Sequence, residues 1–246
     1  MTVVTLNEEE RLRACLESAA WADEIVVIDA ESQDKTAQIA REFTDHVVVR
    51  PWSGFAEQKN FALERARGDW LLSLDADEMV SAALRLEIEG VLAGRGPSAD
   101  AFAVPRRNVY WGRWVRHGGL YPDWQVRLLR RGRGRFVVRA VHESVAVQGP
   151  VARLAGHLEH RSYRDVGDFV ARAERYATLA AEDWVRSGRP VRPVRDLALR
   201  PLGRFLSMYV VRAGFLDGGR GFLLAALYAY YVLMRSAKAW ERVRGA

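Results

Sequence analysis

Three carboxylates close an apolar run in Asp69-Trp70-Leu71-Leu72-Ser73-Leu74-Asp75-Ala76-Asp77-Glu78. Carboxylates at the carboxyl end of a buried strand, where an open α/β sheet has its ligand crevice, suit a divalent cation carrying a nucleotide diphosphate. Asp75 and Asp77 stand two residues apart, so continued strand geometry puts both side chains on one face and lets one cation serve both. With 14 aspartates in 246 residues, an Asp-x-Asp arises by chance about 0.8 times. Its surroundings therefore have to carry the inference.

A second requirement, for any transfer to a hydroxyl, is a group that takes the proton. Glu143 is the first choice, because Val141 and Val145 share its parity along a strand and an apolar surround raises a carboxyl pKa. His142 then points to the other face, where it ligates metal, orients a phosphate or is simply a hydrogen-bonded structural histidine. Asp123, followed by Gln125 and Arg127, is the rival base or a holder of sugar hydroxyls. His117, His157 and His160 fit no closed zinc spacing, and with Cys15 as the only cysteine they read as acceptor-site or structural residues.

The elements that must position these groups alternate. Strand patterns at Thr2 to Leu6, Glu24 to Asp29, His46 to Arg50 and Trp70 to Leu74 are separated by helical ones, which predicts βαβ units and a mainly parallel sheet. The first helix is expected to open at Asn7 as its cap, with Glu10 reaching back and Leu12, Cys15, Leu16 and Ala19 as the buried stripe. The second spans about 35–43, and the third about 55–67 with Gly68 as its stop. In such a sheet the loops after strands one, two and four converge, so Asn7, Asp29 and Asp75 can meet. Asp29 is placed to accept hydrogen bonds from a base or ribose. Asp34 either joins it or caps the next helix, and Lys59 points at nucleotide or phosphate or is a surface lysine.

From Asp100 the pattern changes to strands rich in arginine and aromatics, at Ala101 to Arg107, Gln125 to Arg130 and Phe136 to Val147. A long amphipathic helix follows at about 166–187, and Pro190 and Pro193 then break the chain. Two strongly apolar segments come last, Leu202 to Leu216 and Phe222 to Met234. The second is too short to span a bilayer as a helix, so an interfacial element edged by Arg212, Arg220, Arg235 and Lys238 is expected, with a buried helical hairpin as the alternative. The expected organisation is residues 1–100 and 101–163 as two halves of one domain, followed by a helical, membrane-associating region at 164–246.

Charge divides along the same line. Residues 1–100 carry 10 basic and 20 acidic side chains, and residues 101–246 carry 27 and 11. An acidic half needs a cation, while a basic half interleaved with aromatic and aliphatic residues suits an anionic lipid surface or a polyanionic acceptor. No nucleic-acid partner is expected. A lone cysteine rules out a disulfide framework within the chain and fits a reducing compartment. The N-terminus runs directly into a charged helix, so the protein is expected on the cytoplasmic side.

Three motifs in order carry a resemblance: Thr5-Leu6-Asn7-Glu8-Glu9, Val26-Val27-Ile28-Asp29-Ala30-Glu31-Ser32-Gln33-Asp34-Lys35-Thr36 and Leu74-Asp75-Ala76-Asp77-Glu78. They resemble the signature of GT-A fold, family 2 glycosyltransferases. The likeness continues through Asp123-Trp124-Gln125-Val126-Arg127-Leu128, Val141-His142-Glu143, His160 and Gly214-Phe215-Leu216-Asp217-Gly218, and is similar to the bacterial branch with lipopolysaccharide core glucosyltransferases of the WaaE/KdtX type. The resemblance implies a mainly parallel mixed sheet flanked by helices, with a C-terminal amphipathic helical extension. It implies that Thr5, Asn7, Glu8, Asp29, Lys59, Asp75 and Ala76 line the nucleotide-sugar site. Asp77, with Asp75 and His142, holds Mg²⁺ or Mn²⁺, while Gln125, Arg127 and His160 meet the acceptor. Strand one is shorter before Asn7 than in that family, so the natural start lies upstream or the strand is trimmed.

The expected function is metal-dependent, inverting transfer of a hexose, glucose from UDP-glucose, to a lipopolysaccharide-core or other lipid-linked acceptor at the inner face of the cytoplasmic membrane. Its rivals are transfer to polyprenyl phosphate, as in relatives of dolichol-phosphate mannose synthase, and a non-catalytic nucleotide-sugar or membrane-binding module. A nucleotidyltransferase usually has a glycine-rich basic loop near the N-terminus, and the sequence has none there.

Overall fold

The β-branched runs Thr2-Val3-Val4-Thr5 and Val26-Val27-Ile28-Asp29 become β1 (Thr2–Thr5) and β2 (Val26–Asp29), since such side chains pack well on a pleated, doubly buried surface. The computed structural model describes residues 1–139 and 142–244, without the side chains of Val138, Arg139, His142 and Glu143. Helix α1 (Leu12–Ala19) joins β1 to β2, α2 (Thr36–Arg41) leads to β3 (Val47–Val49), and α3 (Phe55–Arg65) leads to β4 (Trp70–Asp75). All four strands are parallel, in the order β3-β2-β1-β4.

The period-two alternation of each strand divides the core. Val3, Val27, Leu72 and Leu74 pack with Leu12, Cys15 and Leu16 of α1 on one face. Val4, Val26, Ile28 and Leu71 pack with Ala56, Ala62 and Leu63 of α3 on the other. Full burial of one such leucine contributes about 1.5–3 kcal/mol, so covering both faces ties the strands firmly to their helices.

Beyond the acidic turn come β5 (Glu78–Val80), α4 (Ala82–Leu92), β6 (Ala101–Tyr110), β7 (Arg113–Trp114) and β8 (Asp123–Arg130). The pair β9 (Gly134–Arg139) and β10 (His142–Val147) is followed by β11 (Val151–Arg153) and β12 (Leu158–Tyr163). Strand β8 runs antiparallel between β4 and β6, and the sheet continues as β4-β8-β6-β12-β5, with β7 and β11 on β6. In place of the continuous strand expected over 136–147, β9 and β10 pair antiparallel as a small sheet of their own. Helix α4 and strands β5 and β12 escaped the pattern reading; α4 opens on Ser81, whose hydroxyl accepts the Leu84 amide. The third helix stops at Arg65, with Ala66 already extended, so Gly68 is not its terminator.

The chain forms two compact units, Met1–Arg107 with Asp123–His160, and Asn108–Pro122 with the C-terminal segment from Arg161. In the second unit α5 (Val166–Arg186) packs on α7 (Gly218–Arg244), supported by the Lys238–Glu174 and Arg242–Glu182 ion pairs. Between them lie a π-helical turn (Val194–Leu199), α6 (Arg200–Leu206), a second π-helical turn (Ser207–Val211) and a short 3₁₀ turn (Gly214–Asp217). A Cβ on Gly221 would stand 1.8 Å from the Gly214 carbonyl oxygen, so this close approach requires glycine. Asp217 accepts the backbone amides of Arg116 and His117 at 3.3 and 2.7 Å, which fastens the Asn108–Pro122 excursion to this unit. Among the described residues no helix is long and apolar enough to cross a membrane.

Candidate active site

Register decides what meets what. Thr5 is opposite Asp29 and Val4 opposite Asp75, so the carboxyl ends of β1, β2 and β4 form one edge. The strand order reverses between β1 and β4, and an open α/β sheet has its ligand crevice at such a switch point. Asn7 does not cap α1, which starts at Leu12 with no side-chain cap. It sits at φ 53°, a left-handed conformation that asparagine tolerates. There it staples two loops, its amide donating to Ser32 Oγ at 2.8 Å and its Oδ1 accepting the Gln33 amide at 2.8 Å. The Glu8 amide donates to Thr36 Oγ1, and the Glu9 amide to Asp34 Oδ2. Asp34 also accepts the Thr36 amide at the first turn of α2. Buried Asp29 accepts from the Ser32 amide at 3.0 Å and the Ser32 hydroxyl at 2.5 Å, and Thr5 and Ala76 are buried beside this edge.

The three carboxylates of the turn have separate jobs. Asp75 is held by Lys59 at 2.8 Å on Oδ1 and by Arg127 at 2.5 Å on Oδ2. Glu78, wholly buried, accepts the Asp75 amide on Oε2 at 3.0 Å, while Arg127 and Arg106 reach its Oε1 at 2.6 and 3.3 Å. Arg106 continues to Asp123 Oδ2 at 2.6 Å, and Gln125 donates to Asp123 Oδ1 at 2.8 Å. A line of alternating charge thus joins Asp75, Arg127, Glu78, Arg106 and Asp123. Burial pushes the Asp75 carboxyl up, but the Arg127 and Lys59 cations outweigh it and hold Asp75 well below the usual carboxylate range.

This placement revises two expectations from the sequence. Arg127 is 3% exposed and is committed to Asp75 and Glu78, so it is a poor candidate for direct contact with an acceptor. Lys59 is not a surface lysine: α3 turns Gln58, Lys59 and Asn60 inward, and the Lys59 ammonium also lies 5.2 Å from the centre of the Phe136 ring. Asn60 exchanges two hydrogen bonds with the Phe136 backbone, docking β9 against α3.

Asp77 sits differently. Its Oδ2 faces Arg11 Nη1 and His160 Nε2, each at 3.4 Å. Pairing of β12 with β5 sets His160 opposite Glu78, which brings a histidine expected at the acceptor to the Asp77 end of the turn. Burial raises the Asp77 carboxyl, and His160 and Arg11 together bring it below its ordinary value. Arg11 was not anticipated. Its signal was helical spacing, because Arg11, Cys15 and Ser18 share one face: Cys15 Sγ approaches the Asp75 carbonyl at 3.6 Å and Ser18 Oγ accepts the Val80 amide at 3.0 Å.

The donor set fits a hard divalent cation. Both carboxylates are held ionised, at and just beyond the end of β4. Among the described residues no three His, Cys, Asp or Glu side chains are grouped to cage an ion. Mg²⁺ needs no such cage, because one or two carboxylates plus substrate phosphates commonly bind it. The Glu143 and His142 side chains lie outside the described residues; their backbone belongs to β10, with Glu143 opposite Val138.

With this geometry in place, a family model described as glycosyl transferase family 2 matches residues 2–146. The chain belongs to glycosyltransferase family 2. The lipopolysaccharide core biosynthesis glycosyltransferase LpsC of Rhizobium meliloti is 31% identical to it over 247 residues, covering 98% of this chain and 91% of that protein. An uncharacterized glycosyltransferase of Rickettsia typhi is 30% identical, covering 97% and 85%. Among solved structures, the mannosyltransferase PcManGT of Pyrobaculum calidifontis, in complex with GDP-Man and Mn²⁺, aligns with a TM-score of 0.55 at 15% identity, covering 97% of this chain and 86% of that one. This last likeness concerns the fold, which is the GT-A fold of this glycosyltransferase.

Proposed function

We propose that this glycosyltransferase moves a hexose, glucose from UDP-glucose, onto a lipopolysaccharide-core or other lipid-linked sugar, with inversion and with the help of a divalent cation. The observation that carries the reading is the shared edge of β1, β2 and β4, where Asp29, Asp75 and Asp77 surround the β1/β4 switch point. The likeness to LpsC supports a lipopolysaccharide-core acceptor. Such an acceptor places the enzyme at the inner face of the cytoplasmic membrane.

In this reading the loops after β1 and β2, stapled through Asn7 and Ser32, cradle the base and ribose at Asp29. Asp77 holds the Mg²⁺ or Mn²⁺ ion, with Asp75 turned to ribose or metal by Lys59 and Arg127. The ion supplies charge stabilisation for the departing diphosphate. An acceptor hydroxyl oxygen attacks the anomeric carbon, the bond from that carbon to the diphosphate oxygen breaks, and the hydroxyl proton passes to Glu143 or Asp123. Gln125 orients Asp123, and Arg106 balances its charge.

Thermal unfolding with a panel of nucleotide sugars tests this directly, because a ligand of the native state raises its melting temperature. UDP-glucose is expected to stabilise the protein in Mn²⁺ or Mg²⁺ and not in chelator, and Asp77→Asn is expected to abolish the cation-dependent part. Stabilisation by UDP-glucose that is equal with and without metal refutes the assignment of Asp77.

A further inference from the structure

We propose that the solvent-facing side of Val194–Phe222 is a membrane-docking surface that lies in the headgroup plane of an anionic bilayer. The proposal rests on the reading of a lipid-borne acceptor and identifies the surface that meets the lipid. From Val194 to Val211 the backbone is helical without a break, as a π turn, α6 and a second π turn. Its exposed positions include Leu199, Leu202, Leu206 and Val210, at spacings of three, four and four, which is one stripe of a helix. Their relative exposures are 58, 55, 44 and 55%. Phe215, Leu216 and Phe222 extend the patch at 50, 60 and 51%.

A surface helix of a globular protein turns its apolar stripe to the core and its charges to water. Here the leucine stripe faces outward, while the buried positions are Met208 and Asp196, the latter paired with Arg195 at 2.9 Å and Arg200 at 3.1 Å. Contiguous apolar patches of this kind on soluble proteins mark contacts with another protein or with a membrane.

Charge selects between the two. From Arg189 to Phe222 there are seven arginines and two aspartates. Both aspartates are engaged, Asp196 by its arginines and Asp217 by the Arg116 and His117 amides. Among the exposed residues from Arg192 to Phe222 none is acidic, and Arg192 and Arg212 flank the apolar stripe. A second copy docked face to face sets these cations against their own kind. An anionic lipid surface satisfies both components, with acyl-chain contact for the stripe and lipid phosphates for the rim. The helical stretch is about 27 Å long at 1.5 Å per residue, and its opposite side carries ion pairs, so it lies along the interface and does not cross it.

Flotation of the full-length protein with vesicles tests the surface. The protein is expected to float with mixed phosphatidylcholine and phosphatidylglycerol vesicles, and much less with phosphatidylcholine alone. L202E/L206E, at two exposed positions, is expected to bind the mixed vesicles at least about tenfold more weakly. R192Q/R212Q is expected to weaken binding and flatten its salt dependence. Unchanged flotation of L202E/L206E overturns the proposal, and so does a concentration-dependent dimer in vesicle-free solution that this variant disperses. Donor stabilisation by UDP-glucose with metal, measured on the same samples, separates the two readings. If it persists while the wild type fails to float, the docking surface is wrong; if it is absent while flotation holds, the transfer reading is wrong.

Discussion

Replacing Arg127 by methionine removes one guanidinium and leaves wholly buried Glu78 and partly buried Asp75 short of a partner. The wild-type side chain is 3% exposed and reaches Asp75 at 2.5 Å and Glu78 at 2.6 Å. Breaking a buried pair from one side costs about 3–5 kcal/mol, because the remaining charge stays buried. Asp75 keeps Lys59 at 2.8 Å and Glu78 keeps Arg106 at 3.3 Å, so the lower end of that range, about 3 kcal/mol, is expected here. With an m-value of about 3 kcal/mol/M, the urea midpoint at pH 7 falls by about 1 M. Adding Glu78→Gln removes one stranded charge and is expected to restore part of the loss, a coupling that a double-mutant cycle measures.

The pH dependence has a definite sign. Asp75 titrates lower in the folded protein than in the unfolded chain, so its contribution is complete above about pH 4 and is lost as pH falls toward the folded value. The gap between wild type and Arg127→Met should therefore narrow in acid. A loss below about 1 kcal/mol, the range of exposed ion pairs, refutes the reasoning. So does a gap that widens in acid.

The choice of base is settled by pairing Glu143→Gln with Asp123→Asn: the variant lacking the base loses about 10²- to 10⁴-fold in kcat and the basic limb of its pH profile. Full activity in Glu143→Gln removes that residue as base and favours a phosphate acceptor, which needs little help from one. Cys15 is fully buried, and burial together with Glu78, Asp77 and Asp75 pushes its thiol well above the ordinary range, so it is expected to resist iodoacetamide at pH 8 until the protein is unfolded. Rapid native labelling, followed by mass spectrometry, would contradict this packing.

What could be read from the sequence was local and periodic. β-Branched runs marked β1, β2 and β3, a short apolar run marked β4, the 3.6-residue spacing marked the buried face of α1, and carboxylates at a strand end marked the edge of a crevice. Those signals work because a strand or helix imposes its own period on the residues that must be buried. The inverted stripe of Leu199, Leu202, Leu206 and Val210 was visible only as apolar sequence, since the same pattern serves a core or a lipid surface and exposure alone tells them apart.

Tertiary structure decided the partners. That Glu78 anchors the turn, that Arg127 and Lys59 grip Asp75, and that Arg11 and His160 flank Asp77 depends on pairings 49, 52, 16, 66 and 83 residues apart in the chain. A charged side chain looks the same in sequence whether it meets water, substrate or a buried counter-charge. The cost of burying it unpaired chooses among these, and that cost exists only once β4, β5, β8 and β12 are assembled around it.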